Sequence, residues 1–548
     1  MKKGIALLLA LLMIAVLVVA CGDDGGGATP PVGGGDDPAP GNGAAVGGED
    51  HMYISILHWD VAQSLPSPRV EDAMRDFVEE KFNVTFTPVN VTWADADEQI
   101  TLMSVAGTLP DIIGASDFVD SPQFFRFIAD GIIAPLPEDL SPYPYLERVM
   151  NMPDVAGSMV DGRHWFLPRS VYSDASWWCM DRGIINRRDW RENLGFEIPV
   201  TEQDFIDLAV AYATLDPANE GVDGNRLGFV TRRDFLHSAI WTGHGNTDNF
   251  WWTRNAAGDV VLPAFEETSL PLMSFLRRMY NAGGMDPDFV TYTNQEVPQQ
   301  FQQGRVGMVA FQVSPKHLFF NQMRFFEEAQ EGISFLEATE ILEPPLVVGN
   351  QRVRFEIRHY WSESYINANV DDAKMDRILQ IYNWGYSDDG MRTMTFGLEG
   401  IDWEFGAGGE ISILREINPA TGFYVPLAER YTFHDGGMNF LIAFSDDILQ
   451  YVNPEIPIEI RELTAAERDR RLSEWASPNI NWLLQSIDLP EKALVSAIPI
   501  TDYWTRFVTD TSALSDQDLW NQFRASWDAS GYSAAVTAMT NFANERGW

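Results

Sequence analysis

The stretch HMYISILHWD, residues 51–60, begins the alternation of strands and helices that decides the fold class. Residues Tyr53 to Leu57 alternate as in a short half-buried strand. A helix is predicted from Arg69, NVTFTPVNV is the next strand, ADADEQITLMSVAG is a helix ended by Gly107, and LPDIIGAS is a further strand. This order predicts an α/β fold with a parallel sheet.

Polar and aromatic residues follow two of these predicted strands. His58 and Trp59 follow the first strand, and Ser116 and Asp117 follow the third. Ligands of parallel α/β sheets bind beyond the carboxyl ends of the strands. We therefore expect these residues near a binding site.

The amino terminus has the pattern of an export signal. Lys2 and Lys3 precede the apolar run IALLLALLMIAVLVVA, and Ala20 stands directly before Cys21. The run is a little shorter than the roughly 20 apolar residues of a spanning helix, although an uncleaved anchor is the alternative. VVAC resembles a bacterial lipobox. We predict a lipoprotein signal peptide at residues 1–20, lipidation of Cys21 and a lipid-anchored protein on the extracytoplasmic face of the cell membrane.

The next segment has almost nothing to bury. Residues 21–50 are dominated by Gly, Pro, Asp and Ala, which predicts a disordered tether before a folded body at residues 51–548. Cys21 and Cys179 are the only cysteines. With Cys21 acylated, Cys179 has no disulfide partner, and we interpret it as a small buried thiol.

The composition excludes some function classes. A formal net charge of -41 disfavours nucleic acid, whose phosphates need Lys and Arg, and it disfavours an anionic membrane surface. The chain has none of the motifs G-x-S-x-G, H-E-x-x-H or a Walker loop, so no enzyme is predicted. The 18 tryptophans exceed ordinary usage, and we expect that some of them serve binding rather than the core.

Six segments occur in the order of one known family. They read SVAGTLPDII, DGRHWFLPR, IINRRDWRENLGFEIPVTEQDF, FQQGRVGMV, FGLEGIDWEF and WNQFRASWDASGYSAAVTAMTNFANE. Together they resemble the extracellular solute-binding proteins of bacterial ABC importers, family 1, of the sugar-binding lipoprotein type. The third segment is the most specific of the set.

The resemblance implies a two-lobed periplasmic-binding-protein-like α/β fold of type II, with discontinuous lobes and a ligand cleft at the hinge. It also implies partnership with ABC permease transmembrane subunits, and we expect a monomer. We place the chain's crossings between lobes near residues 169–176 and 359–365. The expected lobes are about residues 51–170 plus 365–405, and about residues 175–358 plus 406–548.

The resemblance further implies a sugar ligand, for which aromatic stacking and polar rims are suited. The loop IWTGHGNTDNFWWT, with three tryptophans among glycines, fits such a cleft. For any of these rings, core packing is the alternative, and Trp178 is the least secure because adjacent strand residues face opposite ways. The predicted ligand residues are His58, Trp59, Asp117, Asp174, Trp177, Trp178, Trp241, His244, Asn246, Trp252, Trp361 and Trp403.

Two other functions remain open at this point. A peptide-binding lipoprotein of an ABC importer has the same size and export signal, and an Asp for the peptide amino group together with strand-edge hydrogen bonding would distinguish it. A secreted carbohydrate-active enzyme would need two placed carboxylates, and no motif selects a pair. No cofactor is predicted.

Two charged patterns have alternative interpretations. Asp216, Asn219, Asp223 and Asn225 provide oxygens that would suit a structural Ca²⁺, but Ala218 interrupts the pattern, so we favour a polar surface turn and keep calcium as the alternative. In RVRFEIR, residues 352, 354 and 358 are arginines, which would suit a uronate or simply a solvated strand face. We favour a neutral or mixed oligosaccharide.

Overall fold

The protein is described from a computed structural model. It covers residues 50–548 apart from 60, 67, 93–94, 116–117, 170, 233–250, 294–295, 347–350, 357, 435–446 and 479, and apart from the side chains of 62, 63, 115, 447 and 448. Within those ranges every helix is too short or too polar to span a lipid bilayer.

The described residues form strands in two larger sheets and two small hairpins. The strands are β1 Met52–Trp59, β2 Val84–Val91, β3 Ile112–Ala115, β4 Leu167–Arg169, β5 Gly183–Arg187, β6 Leu227–Val230, β7 Thr253–Arg254, β8 Val260–Val261, β9 Val306–Phe311, β10 Thr339–Leu342, β11 Ser362–Ile366, β12 Trp403–Phe405 and β13 Ile411–Ile413.

The first sheet has the strand order β2-β1-β3-β11-β4. β1 pairs in parallel with both β2 and β3, which confirms the parallel sheet predicted from the alternating elements. β11 pairs antiparallel with β3 on one side and β4 on the other, so a late strand is inserted between two early ones. Buried apolar side chains such as Ile54 and Ile56 explain why β1 occupies the interior of the sheet.

The second sheet has the strand order β10-β5-β9-β6. β9 is parallel to β6 and antiparallel to β5, and β5 is antiparallel to β10. All six residues of β9 are buried, as expected for a strand covered on both faces.

Helices connect and cover the sheets. The α-helices before the second sheet are Val61–Ser64, Ala73–Phe82, Ala96–Ala106, Pro122–Ala129, Pro144–Met150 and Pro153–Gly157. Those between β5 and β11 are Arg188–Asn193, Glu202–Thr214, Leu270–Asn281, Glu296–Gln302, Arg324–Ala329 and Phe335–Ala338, with a π-helix at His317–Met323. The later ones are Asp372–Gly385, Asp388–Phe396, Leu427–Arg430, Asp447–Val452, Ile458–Glu474, Pro490–Ser496, Ile500–Thr509, Asp516–Ala529 and Tyr532–Arg546.

Local capping explains several helix boundaries. Thr201 and Asp204 form the capping box expected from the sequence, because each side chain accepts the other residue's backbone N–H. Gly107 ends its helix with φ +68°, as predicted. The helix expected from Arg69 begins later, at Ala73, because the Asp72 side chain caps the N–H groups of the first turn.

The segment RVRFEIR differs from its prediction as a continuous strand. Val353 makes only an isolated bridge to Ala476, and the next strand, β11, begins at Ser362. The residues between them cross from the second sheet to the first. The Arg354 N–H donates to the Ala476 carbonyl, and the His359 N–H donates to the Asp154 carboxylate rather than to a neighbouring strand.

Separate apolar cores lie around the two sheets. One core contains residues of β1–β4 and β11 and extends to Leu427, Tyr431 and Phe433. The other side of the molecule has two clusters, one of which joins β5, β6 and β9 to the carboxyl-terminal helices. The first core thus includes residues beyond 405, which is where the sequence places the lobe boundary; the boundaries themselves stay a prediction.

Candidate functional site

Two crossing segments run side by side between the sheets. One leads from β4 to β5 and the other from β10 to β11. The Tyr172 N–H donates to the His359 carbonyl at 2.6 Å, and the Trp361 N–H donates to the Arg169 carbonyl at 2.9 Å. The Trp178 indole N–H donates to the Arg358 carbonyl at 2.7 Å. Side chains of these paired segments are therefore held at the junction of the two sheets.

Trp59 and Trp361 form an aromatic pair where β1 ends and β11 begins. Their ring centroids are 5.9 Å apart and the rings are inclined at 83°. Trp361 is 39% exposed and Trp59 is half-buried. Such a pair presents apolar faces beside polar N–H edges, which suits contact with the C–H face and hydroxyls of a sugar ring. The structure thus brings two of the predicted tryptophans together.

Buried polar groups support the ring of Trp59. The Arg169 guanidinium lies 5.2 Å from the Trp59 ring centroid, within cation–π range. The His58 ring centroid is 3.9 Å from that of Trp59, and its Nδ1 lies 2.9 Å from the Trp59 carbonyl oxygen. Burial, and then the charge of Arg169, lowers the pKa of His58 well below its ordinary value, so the imidazole is neutral at neutral pH.

His58 therefore has a different position from the one predicted. It is 1% exposed, so it lies beneath Trp59 rather than on the rim of an open surface. Gly114 makes room for it: a Cβ at this position would be 2.5 Å from Cδ2 of His58. The backbone of β3 thus fits closely against the imidazole.

Glu363 fixes the loop after β3. Its carboxylate is fully buried and accepts the backbone N–H groups of Phe118 and Val119 at 2.5 and 2.9 Å. The Tyr365 hydroxyl donates to the same oxygen at 3.2 Å. Charge-assisted bonds to a buried carboxylate are strong, and they fix the backbone at Phe118 and Val119 against β11.

A second aromatic group lies on the side of the second sheet. The Trp177 and Tyr451 ring centroids are 5.4 Å apart, and the Arg468 guanidinium lies 4.6 and 4.4 Å from these two rings, respectively. Trp177 and Tyr451 also line a small cavity that opens between polar and aromatic side chains. The residues lining it are Tyr172, Trp177, Met180, Asp181, Ser314, Gln450 and Tyr451.

Of this second group only Trp177 was predicted. Ser314 follows the carboxyl end of β9, and Gln312 beside it donates to Asp181 at 2.5 Å. The rule that ligands bind beyond strand ends could have selected these two residues. Tyr451 and Arg468 carry no local signal, because their contacts with Trp177 join parts of the chain that are far apart in sequence.

Three predicted rings lie in the interior. Trp178, Trp252 and Trp403 are only 3%, 4% and 1% exposed. The indole of Trp403 donates to the Gly397 carbonyl, and the backbone of Trp252 exchanges hydrogen bonds with the Gln485 side chain. In this structure these three rings pack as core side chains, which is the alternative weighed for each of them.

The remaining predicted ligand residues have other positions. The exposed Asp174 side chain accepts the Ser176 N–H at 2.8 Å and caps a short 3-10 helix. Trp251, in the predicted loop, packs edge-to-face on Trp482 with centroids 5.1 Å apart. Four predictions lie outside the described residues, namely Asp117, Trp241, His244 and Asn246.

The three arginines of RVRFEIR bond within the protein. Arg352 pairs with Glu343 at 2.9 Å, Arg354 pairs with Glu356, and Arg358 pairs with Asp120 at 2.7 Å. These arginines therefore do not form a solvated cationic strip along one strand.

In the loop of Asp216, which is the calcium candidate, acidic side chains bond to groups of the loop itself. Asp216 accepts the N–H groups of Glu220 and Gly221 at 3.0 and 2.5 Å, and Arg226 pairs with Glu220 at 2.6 Å. Asn219, Asp223 and Asn225 are exposed. In the described part of the chain, no three His, Cys, Asp or Glu side chains are grouped as a metal site would need. Calcium binding stays the less favoured interpretation of this loop.

Cys179 is 1% exposed, which confirms the buried thiol. Burial raises the pKa of the thiol to about 11, so a thiolate nucleophile is disfavoured at neutral pH.

The scan against protein-family models gives no match. The polygalacturonan/rhamnogalacturonan-binding protein YtcQ of Bacillus subtilis is 22% identical over 334 residues, which are 60% of this chain and 64% of that protein. The fructooligosaccharide ABC transporter substrate-binding protein FusA of Streptococcus pneumoniae is 27% identical over 228 residues, 37% of this chain and 40% of that protein. Each match therefore spans less than two thirds of the relative's length.

Solved structures resemble almost the whole described body. The alginate-binding protein AlgQ2 has a TM-score of 0.64 at 16% identity, covering 90% of this chain and 98% of that one. FusA of S. pneumoniae in complex with kestose has a TM-score of 0.64 at 15% identity, covering 91% and 99%. The protein thus has the two-lobed α/β fold of the extracellular solute-binding proteins, and its sequence relatives include substrate-binding proteins of ABC transporters, as its motifs predicted.

Proposed function

We propose that the protein is the substrate-binding subunit of an ABC importer and captures an oligosaccharide at the junction of its two sheets. The observation that carries this proposal is the pair Trp59 and Trp361, which holds partly exposed indole rings beside the crossing segments. The second group, Trp177 and Tyr451, provides further rings on the side of the other sheet. The names of YtcQ and FusA support a carbohydrate as the class of ligand.

We propose a neutral or mixed oligosaccharide as the ligand. Arg352, Arg354 and Arg358 are already engaged by acidic side chains of the protein, which leaves less positive charge for a uronate. YtcQ binds polygalacturonan by its name, so an acidic sugar is the second candidate, although Arg468, which lies against Trp177 and Tyr451, also pairs with Asp469 at 2.7 Å. The two candidates predict opposite responses to the charge of the glycan.

We propose that binding is not followed by catalysis. The relatives named above are binding proteins. Ligand recovered after prolonged incubation should therefore have unchanged chain length by mass spectrometry, whereas shortened products would indicate a carbohydrate-active enzyme.

We also propose where the protein works. Lipidation at Cys21 and the tether at residues 21–50 would hold the body near the extracytoplasmic face of the membrane, with a reach of roughly 30 Å. From there a monomer would deliver the sugar to the permease's transmembrane subunits. A lipoprotein of B. subtilis, LipO, is among the relatives, at 23% identity over 237 residues.

The decisive experiment is calorimetry with a panel of neutral oligosaccharides, uronic oligosaccharides and short peptides. Binding of a neutral or mixed oligosaccharide, with a shift in tryptophan fluorescence, is the expected result. Binding confined to uronic fragments would favour the second candidate. Binding of peptides without any response to glycans would contradict the proposed function and favour a peptide receptor.

A further inference from the structure

A buried charged cluster lies at the junction of the sheets, apart from the aromatic pair. It consists of Asp120, Arg358 and Lys492, each of which is at most 7% exposed. The Arg358 guanidinium pairs with the Asp120 carboxylate at 2.7 Å. The Lys492 ammonium donates to the backbone carbonyls of Asp120 and Ile487, at 3.1 and 3.0 Å, and to that of Gln485.

The members of this cluster come from different parts of the fold. Asp120 follows β3, directly after the core residues Phe118 and Val119 of the first sheet. Lys492 lies in the helix Pro490–Ser496, whose Val495 belongs to the core of the second sheet. Arg358 lies in the segment that crosses from one sheet to the other. The cluster therefore connects both lobes and one crossing segment.

Neighbouring contacts extend this connection. Trp251 and Trp482 lie on the Arg358 guanidinium, with centroids 4.8 and 5.9 Å from its carbon. The Ser486 hydroxyl donates to the Gly157 carbonyl at 2.8 Å, which joins the carboxyl-terminal region to a helix beside the first sheet. These contacts add to the covalent crossings of the chain between the sheets.

Because Lys492 is a buried cation, it needs its carbonyl partners, and this requirement strengthens the connection. Removing a cation from water is unfavourable unless hydrogen bonds replace its hydration, and Lys492 obtains three carbonyl oxygens. One of them, on Asp120, belongs to the other side of the junction. Glu363 also fixes the backbone next to Asp120 by accepting the N–H groups of Phe118 and Val119. The Asp120 carbonyl is therefore a well-positioned acceptor for Lys492.

We propose that Lys492 and Ser486 form a non-covalent connection between the lobes, which limits how far the lobes separate and thereby sets the lifetime of the bound ligand. Lys492 is in this sense a positioning residue that acts through the Asp120 carbonyl and does not touch the ligand. The effect on ligand lifetime rests on the proposed oligosaccharide binding, whereas the limit on lobe separation is independent of it.

The test uses Lys492→Met, which keeps the length of the side chain and removes its donors. We expect the ligand-free variant to have a larger radius of gyration by small-angle X-ray scattering. Dissociation of an oligosaccharide identified by calorimetry should be faster by about three- to tenfold in stopped flow, with a nearly unchanged association rate, since such changes fall mainly on dissociation. Lys374→Met is the matched control, because Lys374 pairs with Asp111 within the first lobe.

Ser486→Ala provides a second variant in case Lys492→Met does not fold. It removes only the hydrogen bond to the Gly157 carbonyl. We expect a larger radius of gyration and faster ligand dissociation here too, with smaller changes than in Lys492→Met. An unchanged radius of gyration in the folded variants would overturn the proposed connection. If the wild-type protein binds no glycan, the proposed function fails, whereas the scattering comparison still decides whether the lobes are held together here.

Discussion

The indole rings of Trp59 and Trp361 meet edge to face, 5.9 Å between centroids, although Trp59 ends the first strand of the chain and Trp361 directly precedes β11, far along the sequence. If this pair stacks on a sugar, Trp59→Ala should weaken oligosaccharide binding by about 1–3 kcal/mol, from the loss of a large apolar contact. Calorimetry measures this loss. Trp403→Ala is the control: it should cost about 3–5 kcal/mol of stability because its ring is buried, with affinity retained.

A substitution beneath the pair should act on binding indirectly. In Gly114→Ala the new methyl would approach Cδ2 of His58 at 2.5 Å, so the imidazole, which lies against the Trp59 ring, would have to shift. Overpacking of this kind costs about 1–3 kcal/mol of stability, and we expect weaker glycan binding as well. Gly157→Ala, whose methyl would have only an ordinary contact at 3.6 Å with Trp482, should leave glycan affinity unchanged. Equal affinities of Gly114→Ala and wild type would argue against support of Trp59 by His58.

The pair of His359 and Asp154 should make stability depend on pH. Burial alone lowers the pKa of His359, but the hydrogen bond and charge of Asp154, with the charge of Asp174, outweigh it, so the pKa is raised above 6.5. The folded protein therefore binds the proton more tightly than the unfolded chain. The stabilisation of the folded protein by protonated His359 is fully present below pH 6.5 and is lost as the pH rises through the raised pKa.

His359→Gln tests this dependence. The stability difference between wild type and variant, from urea unfolding, should be larger at about pH 5.5 than at about pH 8.5. His164→Gln serves as a control, because burial lowers the pKa of His164 and no stabilisation at low pH is expected from it. A difference for His359→Gln that does not change with pH would show that its pairing with Asp154 is not charged.

Lys492 should have the opposite dependence. Burial lowers its pKa from 10.5 to about 8, so between these values the unfolded chain binds a proton that the folded protein lacks. Stability from this group therefore rises with pH across that window, by at most about 1.4 kcal/mol per pH unit. Wild type should gain stability relative to Lys492→Met between about pH 8 and about pH 10 in urea unfolding. A constant difference across this range would contradict a buried, proton-releasing amine.

Membrane attachment depends on a single residue in our proposal. Cys21→Ala should abolish labelling with a radioactive fatty acid and release the protein from the membrane fraction, or block its processing. Cys179→Ala is the control and should remain attached, since Cys179 is buried. A processed Cys21→Ala protein that still sediments with membranes would be incompatible with lipid anchoring.

The sequence allowed the fold to be predicted where the signals are local. The alternation of β1, β2 and β3 with helices, the cap at Thr201 and the stop at Gly107 all depend on neighbouring residues. The family motifs added the two-lobed arrangement, which periodicity alone does not contain. Long-range pairing, such as β11 between β3 and β4, has no such local signal.

The site was predictable only in part for the same reason. Trp59, Trp177 and Trp361 lie at strand ends or crossings, where the general rule places ligands. Trp252 lies among polar and aromatic residues as these three do. Its backbone N–H nevertheless donates to the side chain of Gln485, 233 residues away, and its ring is buried. Tyr451 and Arg468 join Trp177 from a distant part of the chain. Composition reveals that aromatic rings are present, but distant partners decide which of them are exposed.

The insertion of β11 has a consequence for biosynthesis. Glu363 on β11 bonds to Phe118, 245 residues earlier, so the five-stranded sheet cannot close until the strands of the second sheet have been made. Pairing over such distances is slow, whereas β5, β6, β9 and β10 lie closer together along the chain. The first sheet should therefore stay incomplete until β11 has left the ribosome.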